Sequence, residues 1–322
     1  MKFSLSIPFL FLLLFGAACE NRTVDRTTDG GDDYLTLSLA ERQRPENAVR
    51  AFEVAEGLDI QLFAAEPMVV NPTNMAIDAR GRVWVCESYN YAVPEEEQQE
   101  AGGRIIILED ANGDGVADER TVFYQGEDVH LALGIGIFGD RIFVARSPDL
   151  LVFTDADGDD RPDDKQVLFT GMGGPGDHSA HAVVFGPDGR FYFNYGNAGN
   201  RVLTPKEAPA LDRSGRPVVS DGQPYHGGMV FRFDRDGKNF EVLGHNFRNN
   251  YEVAVDAFGN LWQSDNDDDG NRGVRINYVM EFGNYGYLDE RTGAHWSAPR
   301  TGMHDSVPYR HWHQNDPGVV PN

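Results

Sequence analysis

Met75-Ala-Ile-Asp-Ala-Arg-Gly-Arg-Val-Trp-Val-Cys-Glu87 is an apolar run, a D-x-x-G turn and a second run carrying an aromatic residue. The pattern returns as Leu133-Gly-Ile-Gly-Ile-Phe-Gly-Asp-Arg-Ile-Phe-Val-Ala145 and as Ala182-Val-Val-Phe-Gly-Pro-Asp-Gly-Arg-Phe-Tyr-Phe193. A fourth copy is Val253-Ala-Val-Asp-Ala-Phe-Gly-Asn-Leu-Trp-Gln263. Each copy reads as two strands joined by a turn of the D-x-x-G kind. Further strand-like runs lie between copies: Arg104 to Glu109, Thr121 to Tyr124, Leu150 to Thr154, Gln166 to Phe169 and Met229 to Asp234. Copies recur every 50 to 70 residues or so, which suits four strands plus loops and predicts blades of a β-propeller. No long stretch has helical periodicity. A β-sandwich, or two unrelated β domains, is the competing architecture.

Composition agrees with a loop-rich β protein. Gly (36) and Pro (17) are frequent, and aromatics make up 11% of 322 residues. Acidic side chains outnumber basic ones 51 to 28, a formal charge of −23, which excludes a nucleic acid partner because a polyanion repels such a surface. Two cysteines cannot form a disulfide framework, and no C-x-x-C-H motif is present to attach haem. Cys86 falls inside a strand run and is expected to be buried.

The first residues read as an address. Lys2 is followed by an apolar run from Ile7 to Phe15 and by Gly16-Ala-Ala18, the small residues that a signal peptidase requires. The run is shorter than the ~20 residues that span a bilayer as a helix. Cys19 comes directly after, resembling a bacterial lipobox in which the cysteine is lipidated, with Gly16 where that motif usually has Leu. Plain secretion and a retained anchor are the other outcomes. The expected organisation is a signal peptide over 1–19, a flexible polar tether over 20–48 and a propeller domain over 49–322. The protein is expected to be exported and lipid-anchored to the cell envelope, in the periplasm or on the outer surface. Four blades are visible, and Asp316 to Asn322 is loop-like, so an incomplete ring is expected, from a fragment of a longer protein or a truncated gene product. The family resemblance given below implies that the full ring has six blades, of which this chain holds about four. Leu58-Asp-Ile-Gln-Leu-Phe63 would suit the strand that closes such a ring.

Three acidic loops resemble calcium cages, because calcium takes six to eight hard oxygen ligands. Asp110-Ala-Asn-Gly-Asp-Gly-Val-Ala-Asp118 offers Asp110, Asn112, Asp114 and Asp118, with Gly115 at the sharp sixth position. Asp155-Ala-Asp-Gly-Asp-Asp-Arg-Pro-Asp163 offers Asp155, Asp157, Asp159 and Asp163, with Asp160 in the glycine's place. Asp265-Asn-Asp-Asp-Asp-Gly270 adds Asp265, Asp267 and Asp269. The first two are expected at hairpin tips. Solvated Asp-Gly turns are the alternative reading of all three.

Candidate chemistry gathers in the third and fourth copies. Asp177-His-Ser-Ala-His181 precedes the third copy, Gly196-Asn-Ala-Gly-Asn200 comes after its second strand, and Phe247-Arg-Asn-Asn250 precedes the fourth. Inner-strand starts and the turns leaving second strands meet near one end of a propeller ring. His178 beside Asp177 suits a general base, since imidazole titrates near neutral pH, although spacing alone favours an ordinary turn histidine. His181 reads as a core-edge residue. Arg248 supplies a planar, permanent cation. His311 and His313 form a weaker metal candidate.

The stretch from His178 through Phe185-Gly-Pro-Asp-Gly189 to Gly196-Asn-Ala-Gly199 resembles the glucose/sorbosone dehydrogenase family, six-bladed propellers that bind pyrroloquinoline quinone (PQQ) and calcium. The resemblance implies an all-β, TolB-like or soluble quinoprotein glucose dehydrogenase-like propeller, His178 as general base, and Arg248 and Asn249 as cofactor contacts. From about residue 52 the chain also resembles the membrane-bound dehydrogenase family of exported bacterial proteins. The carrying residues are Leu62-Phe-Ala-Ala-Glu-Pro67, Asn71-Pro-Thr73, Asp110 to Gly115, Arg275-Ile-Asn-Tyr-Val-Met280 and His313 to Pro321. The pattern departs at Asn197, where the sugar dehydrogenases carry Asp, at Ala198, where they carry Gln, and near Asn74, where their glutamine motif has no counterpart. The resemblance implies a sugar or alcohol dehydrogenase passing electrons to an external acceptor such as a cytochrome c. A non-catalytic, calcium-stabilised propeller that binds carbohydrate or a protein is the second class. A lactonase-like hydrolase with a divalent ion near Asp265 and Asn266 is the third.

Overall fold

The computed structural model describes residues 34–91, 93–94, 97–98, 102–266 and 275–288. Cys19, Asp267, Asp269, His311 and His313 lie outside them. The chain divides into two compact units, 1–62 and 63–322. In the first, the stretch expected as a tether holds two four-residue helices, Leu39–Arg42 and Pro45–Ala48. Ser38 and Glu41 cap the first reciprocally, so a local hydrogen-bonding signal orders residues that composition alone reads as coil. No helix among the described residues is long and apolar enough to cross a membrane.

The second unit is all-β. Strands β1 (Pro72–Ile77), β2 (Val83–Glu87), β3 (Gly103–Glu109) and β4 (Glu119–Gly126) form the first sheet, in sequence order. Strands β5 (Gly134–Phe138), β6 (Arg141–Arg146), β7 (Asp149–Thr154) and β8 (Asp164–Phe169) form the second. The third contains β9 (Ala180–Phe185), β10 (Phe191–Tyr195), β11 (Met229–Phe233) and β12 (Glu241–His245). The fourth contains β13 (Asn250–Val255), β14 (Leu261–Asp265) and β15 (Arg275–Val279). Every repeat copy is the first hairpin of one sheet, so these are four blades of a β-propeller. In the turn of the first copy, Asp78 Oδ1 accepts from the N–H groups of Arg80 (2.9 Å) and Arg82 (3.0 Å), and Gly81 has φ +84°.

Three apolar layers join neighbouring blades. Trp84, Ile105 and Phe123 pack with Ile135, Val144 and Phe153 between the first and second sheets. Phe143 and Val152 pack with Phe191, Phe193 and Phe233 between the second and third, the Phe143 and Phe191 rings 4.3 Å apart. Tyr192, Val230 and Leu243 pack with Val253, Leu261 and Val279 between the third and fourth. Each fully buried large apolar side chain contributes roughly 1.5–3 kcal/mol. Cys86 is buried in the first layer, as expected, and burial pushes its thiol up to about 12.

Two sheet faces stay open among the described residues: Met75 and Ile77 on the first blade, and Trp262, Ile276 and Tyr278 on the fourth. The segment Leu58 to Phe63 forms no strand. A strand persists only where an edge offers a ladder, and here the Phe63 carbonyl accepts from Ala117 N–H (2.8 Å) without a ladder continuing from it.

At the axis, Tyr251 of β13 reaches across the ring. Its hydroxyl shares one proton between the carbonyls of Thr73 and Leu133, each 3.2 Å away, tying the fourth blade to the first two. Burial raises the Tyr251 phenol to about 12.

Candidate functional site

The site forms where β9 begins and β10 ends, against the turn into β13. Gly173, at φ +86°, starts the approach to β9, and a Cβ there would lie 2.6 Å from the Ala198 carbonyl. Ser179 Oγ donates to Gly174 O (2.7 Å), and Gly196 N–H donates to Ser179 O (3.0 Å). Ala198 N–H donates to His178 O (3.0 Å). His178 is therefore held by its main chain on both sides while its ring stays half-buried.

The His178 imidazole does not pair with Asp177. Its Nδ1 lies 2.7 Å from Asn197 Oδ1, and its Nε2 has no hydrogen-bond partner among the described residues. Asn197 N–H donates to Arg248 O (2.6 Å), and Asn197 Nδ2 donates to Tyr287 Oη (3.4 Å). His178, Asn197 and Arg248-Asn249, 71 residues apart at the extremes, thus meet at one blade end, as the spacing predicts.

The Arg248-Asn249 pair is fixed from below by Asp265. That carboxylate accepts from Asn249 N–H (2.9 Å) and Arg248 N–H (3.4 Å), and pairs with Arg275 Nη2 at 2.7 Å. Both partners are buried. Burial pushes the Asp265 carboxyl up, and the Arg275 guanidinium and the two main-chain donors pull it back. The sequence places Asp265 among loop calcium ligands, or as the seed of a hydrolytic ion site. It is instead the last residue of β14, buried and already bound to Arg275 and two main-chain N–H groups, while Asp267 and Asp269 lie outside the described residues. Asn249 Oδ1 is buried and has no hydrogen-bond partner among the described residues, and a Cβ on Gly196 would sit 2.6 Å from it and 2.7 Å from His178 O. The His178 carbonyl and the Asn249 side chain therefore pack directly onto the glycine at 196.

His181, three residues after His178, is fully buried. Its Nδ1 lies 2.8 Å from Asn250 O, its Nε2 3.0 Å from Asp177 O, and its ring packs on Tyr251 at 4.6 Å. Burial lowers its pKa against the pull of the two carbonyls.

The first two acidic loops are hairpin tips, between β3 and β4 and between β7 and β8, and they fold alike. Asp110 accepts from the N–H groups of Gly113 (2.7 Å), Asp114 (3.1 Å) and Gly115 (2.8 Å). Asp155 does the same for Gly158 (2.9 Å), Asp159 (3.1 Å) and Asp160 (3.2 Å). Asn112 and Asp157 each accept from the residue two positions on, and Asp118 and Asp163 close the loops onto Ala111 and Ala156. Asp160 takes a left-handed φ of +64° where the first loop has Gly115 at +87°. Its carboxylate compensates by pairing with Arg82 (2.8 Å) and Arg80 (3.2 Å) of the first blade. Carboxylate oxygens of Asp155, Asp157 and Asp159 lie within 4.8 Å of one another.

Tyr287 is the site residue that sequence reasoning missed. It arrives on Gly283 to Leu288, which leaves the fourth blade and returns to the third, where Gly283–Asn284 (β16) pairs parallel with β12. Asn246, left-handed at φ +68°, clamps this return: its Oδ1 accepts from Leu288 N–H (2.8 Å), and its Nδ2 donates to Asn284 Oδ1 (2.7 Å) and Leu288 O (2.8 Å). No spacing rule announces such a return; the only signal is the aromatic cluster Tyr285-Gly-Tyr287.

The family described as Domain of unknown function (DUF7133) matches residues 44–308. No curated protein matches the chain. Among solved structures, the holo PQQ domain of pyranose dehydrogenase from Coprinopsis cinerea is similar at 17% identity and a TM-score of 0.51, covering 79% of this chain and 62% of that one. A carbohydrate-active enzyme of family AA12 from Trichoderma reesei is similar at 16% identity and 0.52, covering 73% of this chain and 59% of that one. The chain spans about three fifths of the length of these two structures. At such identities the likeness is one of fold: the neighbours are sugar-dehydrogenase-like β-propellers.

Proposed function

We propose, for a chain that belongs to the DUF7133 family, that the blade end around His178 oxidises a sugar or alcohol with PQQ as hydride acceptor. The observation that carries this reading is the convergence of His178, Asn197 and Arg248-Asn249 at one blade end, packed against Gly196. The residues fit the cofactor. Asn249 Oδ1 is a buried acceptor without a partner among the described residues, and Arg248 is a permanent cation suited to a polycarboxylate. When bound, PQQ supplies a carbonyl electrophile that takes up hydride. A hydroxyl that becomes a carbonyl also gives up a proton. With Nδ1 engaged by Asn197, Nε2 of His178 is the ring atom open to accept it. Arg248 and Asn249 hold and orient the cofactor, and Asp265 fixes the backbone from which they project.

The two aspartate tips hold calcium in a structural role, relieving carboxylate repulsion and pinning the hairpins. Residues 1–19 direct export, Cys19 carries a lipid at the cell envelope, and electrons leave to an external acceptor such as a cytochrome c. One observation favours the second reading, a non-catalytic propeller that binds carbohydrate or a protein. The partner of His178 is a neutral carboxamide, which gives the imidazolium no charge assistance.

The test uses the chain loaded with calcium and PQQ. Calorimetry reads PQQ binding, and dye reduction over a sugar and alcohol panel reads activity. The expected result is binding with activity, and a loss of about 10²–10⁴-fold in His178→Ala with binding retained. Absence of PQQ binding would sink the dehydrogenase reading and leave the binding module.

A further inference from the structure

The first two aspartate tips fold alike but differ at their third position, which is Asn112 in one and Asp157 in the other. Asn112 is followed by Gly113, the one Asn-Gly pair among the 322 residues. A side-chain amide is open to attack by the main-chain nitrogen of the next residue, and a glycine there has no Cβ to obstruct the approach. In that step the nitrogen loses its proton and bonds to the amide carbon, and ammonia leaves as a five-membered imide closes. Solvent water then opens the ring on either side, giving aspartate or isoaspartate. No oxidant, reductant or cofactor takes part.

We propose that Asn112 is a deamidation site, its carboxamide presented for attack while Asp110 latches the attacking nitrogen of Gly113. Asp114 N–H, shared with Asp110 Oδ1 (3.1 Å), donates to Asn112 Oδ1 (2.9 Å). A main-chain N–H can only donate, so the oxygen of the carboxamide, not its NH₂ group, must face it. That donor polarises the carbonyl and stabilises the negative charge its oxygen takes on as the carbon is attacked. Nδ2, the nitrogen that departs, has no hydrogen-bond partner among the described residues. Asn112 and Gly113 are both exposed, and no heavy atom lies within 4 Å of where a Gly113 Cβ would stand. The restraint falls on the nucleophile. Gly113 N–H donates to Asp110 Oδ1 at 2.7 Å, and that bond has to be released before the nitrogen can turn onto the amide carbon. The two products differ in effect. Aspartate gives the first tip the carboxylate spacing of the second and adds one negative charge, whereas isoaspartate lengthens the main chain by a methylene within the turn. The chemistry needs no ion and no cofactor, so the inference stands apart from the calcium and dehydrogenase readings.

The experiment is a time course on the full chain at pH 8, with a chelator present so that no cation competes for Asp110 or Asn112. Peptide mass spectrometry follows amide-to-acid conversion at every asparagine and separates aspartate from isoaspartate. In wild type, Asn112 is expected to convert ahead of every other described asparagine, to give both products, and to convert faster as the pH is raised. Asp110→Ala removes the latch and is expected to speed conversion roughly tenfold, the rate equivalent of releasing one hydrogen bond to a charged acceptor. Asp118 closes the same tip onto Ala111 N–H without touching Gly113, so Asp118→Ala is expected to leave the rate near that of wild type. An Asp110→Ala rate equal to wild type overturns the proposal, as does equal acceleration in Asp118→Ala, which would trace the effect to general loosening of the tip. Aspartate formed without isoaspartate overturns it too, because direct hydrolysis bypasses the imide. Should Asp110→Ala fail to fold, Asp110→Asn, which keeps a neutral and weaker acceptor, is read in its place. A smaller rise is expected there, and an unchanged rate overturns the proposal equally.

Discussion

Asp265 and Arg275 form a buried ion pair, 2.7 Å between Oδ2 and Nη2, and the same carboxylate receives the main-chain N–H groups of Arg248 and Asn249. A charge taken out of water is tolerated only while its partner remains, so the pair is best tested by removing one half. Asp265→Asn leaves the guanidinium buried without a counter-charge and is expected to destabilise the fold by about 3–5 kcal/mol. Replacing both residues with apolar ones of similar volume, Asp265→Leu/Arg275→Met, is expected to recover most of the loss in a urea melt. A single variant as stable as wild type would show that the pair is not the anchor described.

Gly196 faces two atoms that leave no room for a side chain: Asn249 Oδ1 at 2.6 Å and His178 O at 2.7 Å from where a Cβ would stand. Gly196→Ala must push the His178 turn away from the Arg248-Asn249 segment. Overpacking of this kind costs about 1–3 kcal/mol. Loss of PQQ binding with a melting temperature only modestly lowered is the expected outcome. Unchanged PQQ affinity would count against the His178 turn and the Arg248-Asn249 segment as the cofactor's contacts.

These two sites divide on how far the sequence announces them. The hairpins of all four blades are legible, because alternation and an Asp–Gly turn are local properties carried by contiguous residues. Convergence of His178 with Arg248 comes from the blade count, since equal repeats bring equivalent positions to one end. Asp265 is easily misread because the acidic run after it looks like a loop. Yet Leu261, Gln263 and Asp265 share one period-two face, and all three are buried, which is the signal that places it in the strand. Tyr287 is out of reach, since its position depends on a strap folding back onto another blade, a non-local choice set by Asn246. The short helices at 39–48 escape a compositional reading because one capping box outweighs a polar composition.

In the second aspartate loop, shaping and binding fall to different residues. Asp155 is buried and satisfies three main-chain N–H groups, so Asp155→Ala is expected to unravel the tip whether or not an ion is present. Asp157 and Asp159 are exposed and each accepts one N–H, so Asp157→Asn/Asp159→Asn keeps the loop and removes ligand charge. Calcium at 100 times its dissociation constant stabilises by about 2.7 kcal/mol through a single site. Wild type is expected to gain melting temperature on adding calcium and to lose it on chelation. The double variant should show at most the response of the first loop. Equal gains in both proteins would count against a calcium role for Asp157 and Asp159.

His181 gives the fold a dependence on acid with a definite sign. Burial lowers its folded pKa below the value of about 6.5 that an unfolded histidine has. The unfolded state then binds more protons, so stability from this group is complete above about pH 6.5 and is lost as the pH falls toward the folded pKa. Each pH unit in that window removes up to about 1.4 kcal/mol. His181→Gln cannot titrate, although it forfeits the packing against Tyr251 and is less stable at pH 7.5. The stability advantage of wild type over His181→Gln is therefore expected to shrink by up to about 2 kcal/mol between pH 6.5 and pH 5. Urea midpoints at the two pH values read the difference. An advantage that stays constant would mean that His181 carries its proton throughout, held by the carbonyls of Asn250 and Asp177 together.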